Sequence, residues 1–510
     1  MSKILFSGFS VVALAASVAF AHAQASATSY PNHSGMTSMP SNIKLPIKPN
    51  TSNIIQTGTS FNEMYHNRTI AEWSLQQINA SLPQIHDPWV VDFVFRTTSH
   101  MNALTRHQRL FATPVINDKN INAFAVTGGV IAINTGVILS SATLDETASV
   151  LAHEIGHLSL RHYERNQDDK SKLMAIQIGG LLAAIAASAI SGDGAAAMMV
   201  ASQTMTAENA ATHSRAHERE ADRVGMALMA QAGFDAHGMP RFFDKLNRRV
   251  ALNTAKGTYV PSFFQSHPFT SERLAEAHSR ANDYGAVSLL TRQTHAKDFD
   301  LLSWRVKYLT KADEEELKQG SKTSQGAKMA YAAYLADNRR FDEARRVFDE
   351  IDKSLQDEPL YCISLAHMDY EKGDFAKAAA VLSSCHAIAP ERRDLTVYLA
   401  DSFVQAGEAS RAESLLVPLV QKSPHDIIAQ DLLQKAYEKL AQSNQTSWYA
   451  AKALYARASK ELWRGKYDQA LVSLTQAKSQ LGSQPNHATF VKSIDAMMAE
   501  VRRFRDLKIK

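Results

Sequence analysis

The run His153-Glu154-Ile155-Gly156-His157 holds the residue types and spacing of metal-assisted hydrolysis. Histidines four apart on a helix lie on one face, so both imidazoles can reach one ion. Glu154 follows His153 by one position, about 100° round the axis, where a carboxylate can hold a water and take its proton. The flanking Val150, Leu151, Ala152 and Leu158 are apolar, as a buried active-site helix requires. Two imidazoles leave zinc short of ligands, so a third protein ligand is needed. In the extended form of the motif a Gly and then a third His follow on the next turns. Leu160 and Tyr163 stand there instead, which excludes that class. His162, turned about 140° from His157, faces away and reads as solvated or supporting.

The elements that must position these residues follow from composition and patterning. With 510 residues, about three domains are expected. Apolar residues at 45% and charged residues at 21% exclude global disorder. A formal net charge of +4 is too small for a nucleic-acid footprint. Two cysteines cannot build a disulfide scaffold or a four-cysteine zinc module, so a metal must be held by His and carboxylate.

Lys3, the apolar run Ile4 to Phe20 and Ala21-His22-Ala23 read as a cleaved export signal over 1–23, with no lipoprotein cysteine behind it. Residues 24–60, rich in Ser, Thr, Asn and Pro, read as a flexible linker. Helical spacing runs from Phe61 to Phe111. A β-rich stretch from Pro114 to Ile138, broken at Gly128-Gly129, reads as a hairpin, and helix resumes at Leu144.

The last third repeats. Asn338-Arg339-Arg340-Phe341 with Ala344 recurs 34 residues later as Lys372-Gly373-Asp374-Phe375 with Ala378. After a further 34 residues it returns as Ala406-Gly407-Glu408 with Ala412, and out of phase as Arg464-Gly465-Lys466-Tyr467 with Ala470. This period resembles the tetratricopeptide repeat, two antiparallel helices per unit, over residues 324 to 485. Such units contact mainly their neighbours, so the catalytic part is expected to fold without residues from about 316 onward. Cys362 and Cys385 fall at similar height on the two helices of the second unit, where either a disulfide or two buried thiols fits.

His217-Glu218-Arg219-Glu220-Ala221-Asp222 resembles the second helix of the M48 zinc metallopeptidases, which carries Glu-x-x-x-Asp with Ala before the Asp. On that resemblance Glu218 is the third metal ligand and Asp222 steadies a metal-bound His, while Glu220 points elsewhere. Asn122-Ala123-Phe124-Ala125 with Gly128-Gly129 matches the family's strand before the metal helix, and His267-Pro268 with Arg273 matches its His-Pro and Arg positions. His267 then either stabilises the oxyanion or plugs the open metal position. The strand Phe124, Ala125, Val126 is expected to pair with an extended substrate. Residues 173–201 are Ala- and Gly-rich, and Leu173 to Ser191 is just long enough to span a bilayer. A single span would separate His157 from Glu218, so the stretch reads as a lid or a surface meeting a membrane or partner, with plain core packing as the alternative.

The expected fold is α+β: a mainly helical zincin-type metalloprotease domain with a small β-sheet, then an all-α repeat solenoid. The boundaries expected are 61–285 for the protease, 286–315 for a connector and 316–510 for the repeats. The resemblance implies a periplasmic endopeptidase with one Zn²⁺ per chain. It would cleave misfolded or stalled outer-membrane proteins and assist folding through repeats that meet the assembly machinery. The competing reading is a repeat-based chaperone or scaffold whose protease site is latent or vestigial.

Overall fold

The computed structural model describes residues 61–105, 110–161, 215–255, 267, 270–444, 446–481 and 487–507. The export signal 1–23, the linker 24–60, His162 and the 173–201 stretch lie outside the described residues. Among those described, no helix is long and apolar enough to cross a membrane.

Helices α1 (Phe61–Ser81) and α2 (Pro88–Asn102) precede a three-stranded sheet of β1 (Val115–Ile116), β2 (Ala123–Val126) and β3 (Val130–Asn134). The order is β1-β3-β2, with β1 parallel and β2 antiparallel to β3. Both strands of the hairpin are buried on both faces, which is why they read as unbroken apolar runs. Phe124, Val126, Val130 and Ala132 pack on Ile70, Ala71 and Ile78 of α1. Ala123, Ala125, Ile131 and Ile133 face the opposite core. Gly128 and Gly129 take φ of 95° and 93°, the left-handed conformations the tight turn demands.

The β-rich stretch ends four residues before its expected limit, because Thr135–Ser140 is a helix, α3. The carbonyl of Asp118 accepts the Thr135 hydroxyl at 2.9 Å and the Gly136 N–H at 2.8 Å, which turns the chain out of the ladder. Helix α4 (Leu144–Ser159) then carries the histidine motif. It starts with a capping box: Thr143 Oγ1 accepts the Glu146 N–H at 3.3 Å and Glu146 Oε2 accepts the Ala142 N–H at 2.7 Å. Lys245 Nζ, 2.6 Å away, neutralises that buried carboxylate. Helices α5 (Arg215–Gln231), α6 (Gly238–Ala255) and α7 (Ser271–Ala281) complete the surroundings of α4.

The segment expected as a connector holds a 21-residue helix, α8 (Leu289–Leu309), whose His295 Nδ1 lies 3.0 Å from Asp145 on α4. Antiparallel helix pairs follow. Gln325–Asp337 pairs with Phe341–Asp349, Pro359–Lys372 with Phe375–Ile388, and Arg393–Gln405 with Ala409–Lys422. Helices continue to Arg505, past residue 485 where the repeat resemblance stops. Ala344, Ala378, Ala412 and Ala470 are fully buried, so the small residue of each unit does mark a close packing point. Gly373 and Gly407 sit at left-handed helix ends with φ of 96° and 82°, and Arg339 holds the same position in the first unit at φ 63°. Cys362 and Cys385 are joined across the second unit, with Cα atoms 6.5 Å apart.

The tail does not stand apart from the catalytic part. Asp87 caps α2 by accepting the Val90 N–H at 2.9 Å. Its other oxygen accepts Arg305 Nη2 at 2.7 Å and the Tyr398 hydroxyl at 2.7 Å, all three residues being buried. Asp92 accepts Arg393 Nη1 at 2.8 Å and the Asp394 N–H at 3.0 Å. Asn79 on α1 donates to the Trp463 carbonyl at 2.8 Å. The repeats thus curl back onto α1 and α2, and one apolar core runs through both parts. A chain cut at 316 would keep Arg305 beside Asp87 but lose Tyr398 from it and Arg393 from Asp92, so independent folding of the catalytic part does not follow from the repeat pattern.

Asp87→Ala should therefore cost about 3–5 kcal/mol in denaturant unfolding, because it strands the buried Arg305 charge. Glu314→Ala, which removes the part-exposed ion pair with Arg340, should cost far less, because solvent screens an exposed pair. Equal effects of the two would show that the interface charges are not buried in solution.

Candidate metal centre

Helices α4 and α5 cross at small residues. A Cβ placed on Gly156 would lie 2.8 Å from the Ala221 carbonyl oxygen, and one on Gly225 would lie 3.0 Å from the Ala152 carbonyl carbon. Ala152 and Gly156 on α4, and Ala221 and Gly225 on α5, are each four apart, so each pair makes one bare stripe. Backbone-to-backbone contact there places His153 and His157 directly against Glu218 and Asp222.

The geometry is tight. His157 Nε2 and His153 Nε2 are 3.0 Å apart. Glu218 reaches both, with Oε1 3.4 Å from His157 Nε2 and Oε2 3.5 Å from His153 Nε2. His267, presented ahead of α7, brings Nδ1 within 3.3 Å of His153 Nε2 and 3.2 Å of Glu218 Oε1. One ligand atom from each of His153, His157, Glu218 and His267 lies within 4.8 Å of the others, and all four residues are buried. Asp222 Oδ1 accepts from His153 Nδ1 at 2.8 Å. That bond places the Nδ1 proton outward and leaves the Nε2 lone pair pointing at the other ligands.

Arg273 balances the charge. Its Nε and Nη2 donate to the two oxygens of Asp222 at 2.7 and 2.8 Å, and its Nη1 lies 2.8 Å from Glu218 Oε2. The guanidinium stacks over the Phe243 ring, 5.2 Å from its centroid. Against the cost of burial, Arg273 and His153 hold Asp222 below the usual carboxylate range. Burial likewise opposes charge on Glu218, but His267, His153 and His157 together hold it well below that range. Burial would lower His153, yet Asp222 and Glu218 overrule it and push it up to about 10.

Glu154 differs from the other carboxylates. It is fully buried, and burial raises its pKa, with the charges of His267 and His153 and a backbone hydrogen bond from Ala125 only partly offsetting this. His267 Nε2 is 3.4 Å from its Oε1. The imidazoles of His153 and His157 with the ionised carboxylate of Glu218 make a donor set suited to a divalent cation of the zinc class.

The structure therefore gathers His153, Glu154, His157, Glu218, Asp222, His267 and Arg273 in one place, and turns Glu220 away toward Arg223, 3.7 Å off. β2 is the sheet edge among the described residues. The Asn122 carbonyl and the Val126 carbonyl accept from Asn134 and Gly129 at 2.9 and 3.2 Å. By alternation Phe124 also bonds β3, and the peptide groups of Ala123 and Ala125 face outward. Sequence reasoning passed over Gly225 and Phe243. The matching small-x-x-x-small spacing on both helices is a signal for the first, but no local pattern marks the second.

Gly156→Ala should force α4 and α5 apart, costing about 1–3 kcal/mol and lowering bound metal. Elemental analysis and urea unfolding of the full chain check this, and unaltered metal content would mean that the crossing does not set the site. Glu218→Gln should lose most of the metal while keeping the fold. Metal retained at the wild-type level would remove Glu218 from the ligand set.

Comparison with known proteins agrees with this geometry. Residues 86–281 match the model of peptidase family M48, and residues 369–436 match a tetratricopeptide repeat. The chain is 27% identical over 455 residues to the beta-barrel assembly-enhancing protease of Yersinia pestis, covering 86% of this chain and 89% of the relative. It is 25% identical over 451 residues to the protein of the same name in Escherichia coli K12, covering 86% and 88%. The metalloprotease LoiP of Escherichia coli is 27% identical over 172 residues, 33% of this chain and 61% of its own length. Residues 86–281 thus resemble peptidase family M48, and the chain is a metalloprotease with tetratricopeptide repeats.

Proposed function

We propose that the chain is an exported, zinc-dependent endopeptidase of the periplasm that cleaves misfolded or stalled outer-membrane proteins. Its repeats would hold those clients or their assembly machinery and assist their folding. The observation that carries the peptidase reading is the fully buried Glu154 beside the His153, His157 and Glu218 ligand atoms, its carboxyl raised by that burial. The likeness over 86% of the chain to beta-barrel assembly-enhancing proteases supports the client class.

A zinc ion held by His153, His157 and Glu218 would polarise the scissile carbonyl and acidify the attacking water. The chain's own residues do the rest. Glu154, whose pKa burial raises, takes a proton readily and returns it to the leaving amine. Asp222 and Arg273 keep His153 in the tautomer that offers Nε2. An extended client segment is expected to pair with the outward peptide groups of Ala123 and Ala125, beside Phe124 and Val126, so that main-chain bonds rather than side chains select it.

His267 decides when this happens. Its ring fills the space between the ligand atoms and Glu154, with Nδ1 toward the former and Nε2 toward the latter. This placement favours a plug over an oxyanion donor: a neutral imidazole completes a tetrahedral site and excludes the water. It also meets the competing scaffold reading half way, since a plugged enzyme is latent until a client or partner displaces His267.

Two variants of the full chain test these roles. Glu154→Gln should keep bound metal and abolish casein cleavage, with losses on the order of 10²-fold or more; undiminished cleavage would end the peptidase assignment to this residue. His267→Ala should raise cleavage, whereas an oxyanion role requires a fall. Unchanged rates on both a loose substrate and a native client would leave His267 with packing alone.

A further inference from the structure

The repeats hold a second group of metal-ligating side chains that the peptidase chemistry does not use. His367 and Glu371 are four apart on the helix Pro359–Lys372 and share one face. Asp337, the last residue of the helix Gln325–Asp337, meets them from the neighbouring unit, its Oδ1 2.8 Å from His367 Nε2. One ligand atom from each of the three lies within 4.8 Å of the other two. Tyr308 on α8 donates its hydroxyl to Asp337 Oδ2 at 2.8 Å, which leaves Oδ1 turned to the imidazole. His367 is buried, while the Asp337 side chain is 33% exposed, so the group opens to solvent on one side.

We propose that Asp337, His367 and Glu371 form a second divalent-cation site, separate from the peptidase centre. One imidazole with two carboxylates is a donor set for an ion of the zinc, cobalt or nickel class rather than for magnesium or calcium, which take oxygen ligands throughout. The two carboxylates carry the charge that such an ion neutralises. The arrangement repeats, between two repeat units, the device used between α4 and α5: two side chains one turn apart on a helix, closed by a carboxylate from its neighbour. The Tyr308 bond to Asp337 supplies the outer contact that orients a ligating carboxylate.

The site's effect follows from its place. Its ligands come from two successive units, and the residue orienting them comes from α8, which also touches α4 through His295 and Asp145. A bound ion would pin the first two units together and to α8, stiffening the start of the repeat surface. Because the three ligands converge only in the folded chain, the ion stabilises the native state by mass action.

Zinc titration of the metal-free full chain by calorimetry and equilibrium dialysis tests the proposal. Two equivalents are expected, the second weakened roughly tenfold or more by His367→Gln. In His153→Ala/His157→Ala the first equivalent should vanish and the second persist, so failure of one site is distinguishable from failure of the other. If His367→Gln misfolds by circular dichroism, Asp337→Asn and Glu371→Gln carry the same expectation. A single equivalent in the wild type, or a second one indifferent to all three substitutions, overturns the proposal.

Discussion

The contact on which the rest depends is the crossing of α4 and α5 at Ala152, Gly156, Ala221 and Gly225. Metal ligands drawn from two helices converge only if the helix axes come close enough for short side chains to meet. A Cβ at Gly156 would already collide with the Ala221 carbonyl. The helices consequently pack main chain against main chain, and the His and Glu side chains project across a gap narrow enough for one ion. Everything around the crossing serves it. The Thr143–Glu146 box starts α4 at the right residue, and Lys245 and His295 fasten its first turn to α6 and α8.

Close approach concentrates charge where water cannot screen it, and the structure answers with one guanidinium. Arg273 serves two carboxylates at once, Asp222 through two hydrogen bonds and Glu218 through its remaining nitrogen. A lysine could not do this, because it lacks the planar fork. The consequence is functional asymmetry among three buried carboxylates. Cationic neighbours hold Glu218 and Asp222 below the usual carboxylate range, whereas burial raises Glu154 despite the charges of His267 and His153. The three carboxylates are thus told apart by surroundings rather than by residue type.

The repeats obey the same economy at a larger scale. A solenoid of helix pairs would ordinarily offer its faces to other proteins. Here part of that surface is committed to α1 and α2, through Tyr398 with Asp87, Arg393 with Asp92 and the Trp463 carbonyl with Asn79. Since α2 packs in the same core as α4, the repeats and the helix that carries His153 and His157 share one packed interior.

Local sequence determined the parts that depend on periodicity and residue chemistry. The His153–His157 helix, the Gly128–Gly129 turn and the helix pairs of the tail were all legible, because a helical face, a left-handed turn and a 34-residue period are properties of neighbouring residues. The meeting of Glu218, Asp222 and Arg273 with the histidines was legible only through likeness to a family, since nothing local says which distant carboxylate arrives. What tertiary structure alone decided is where Thr135 leaves the sheet, how near α4 stands to α5, which carboxylate burial pushes up, and that the tail folds back on α1 and α2. Each of these turns on atoms far apart in the chain: the Asp118 carbonyl beneath Gly136, Ala221 against Gly156, Arg273 beside Asp222, Arg305 and Tyr398 around Asp87. Burial sets their energies, and burial is a property of the packed whole.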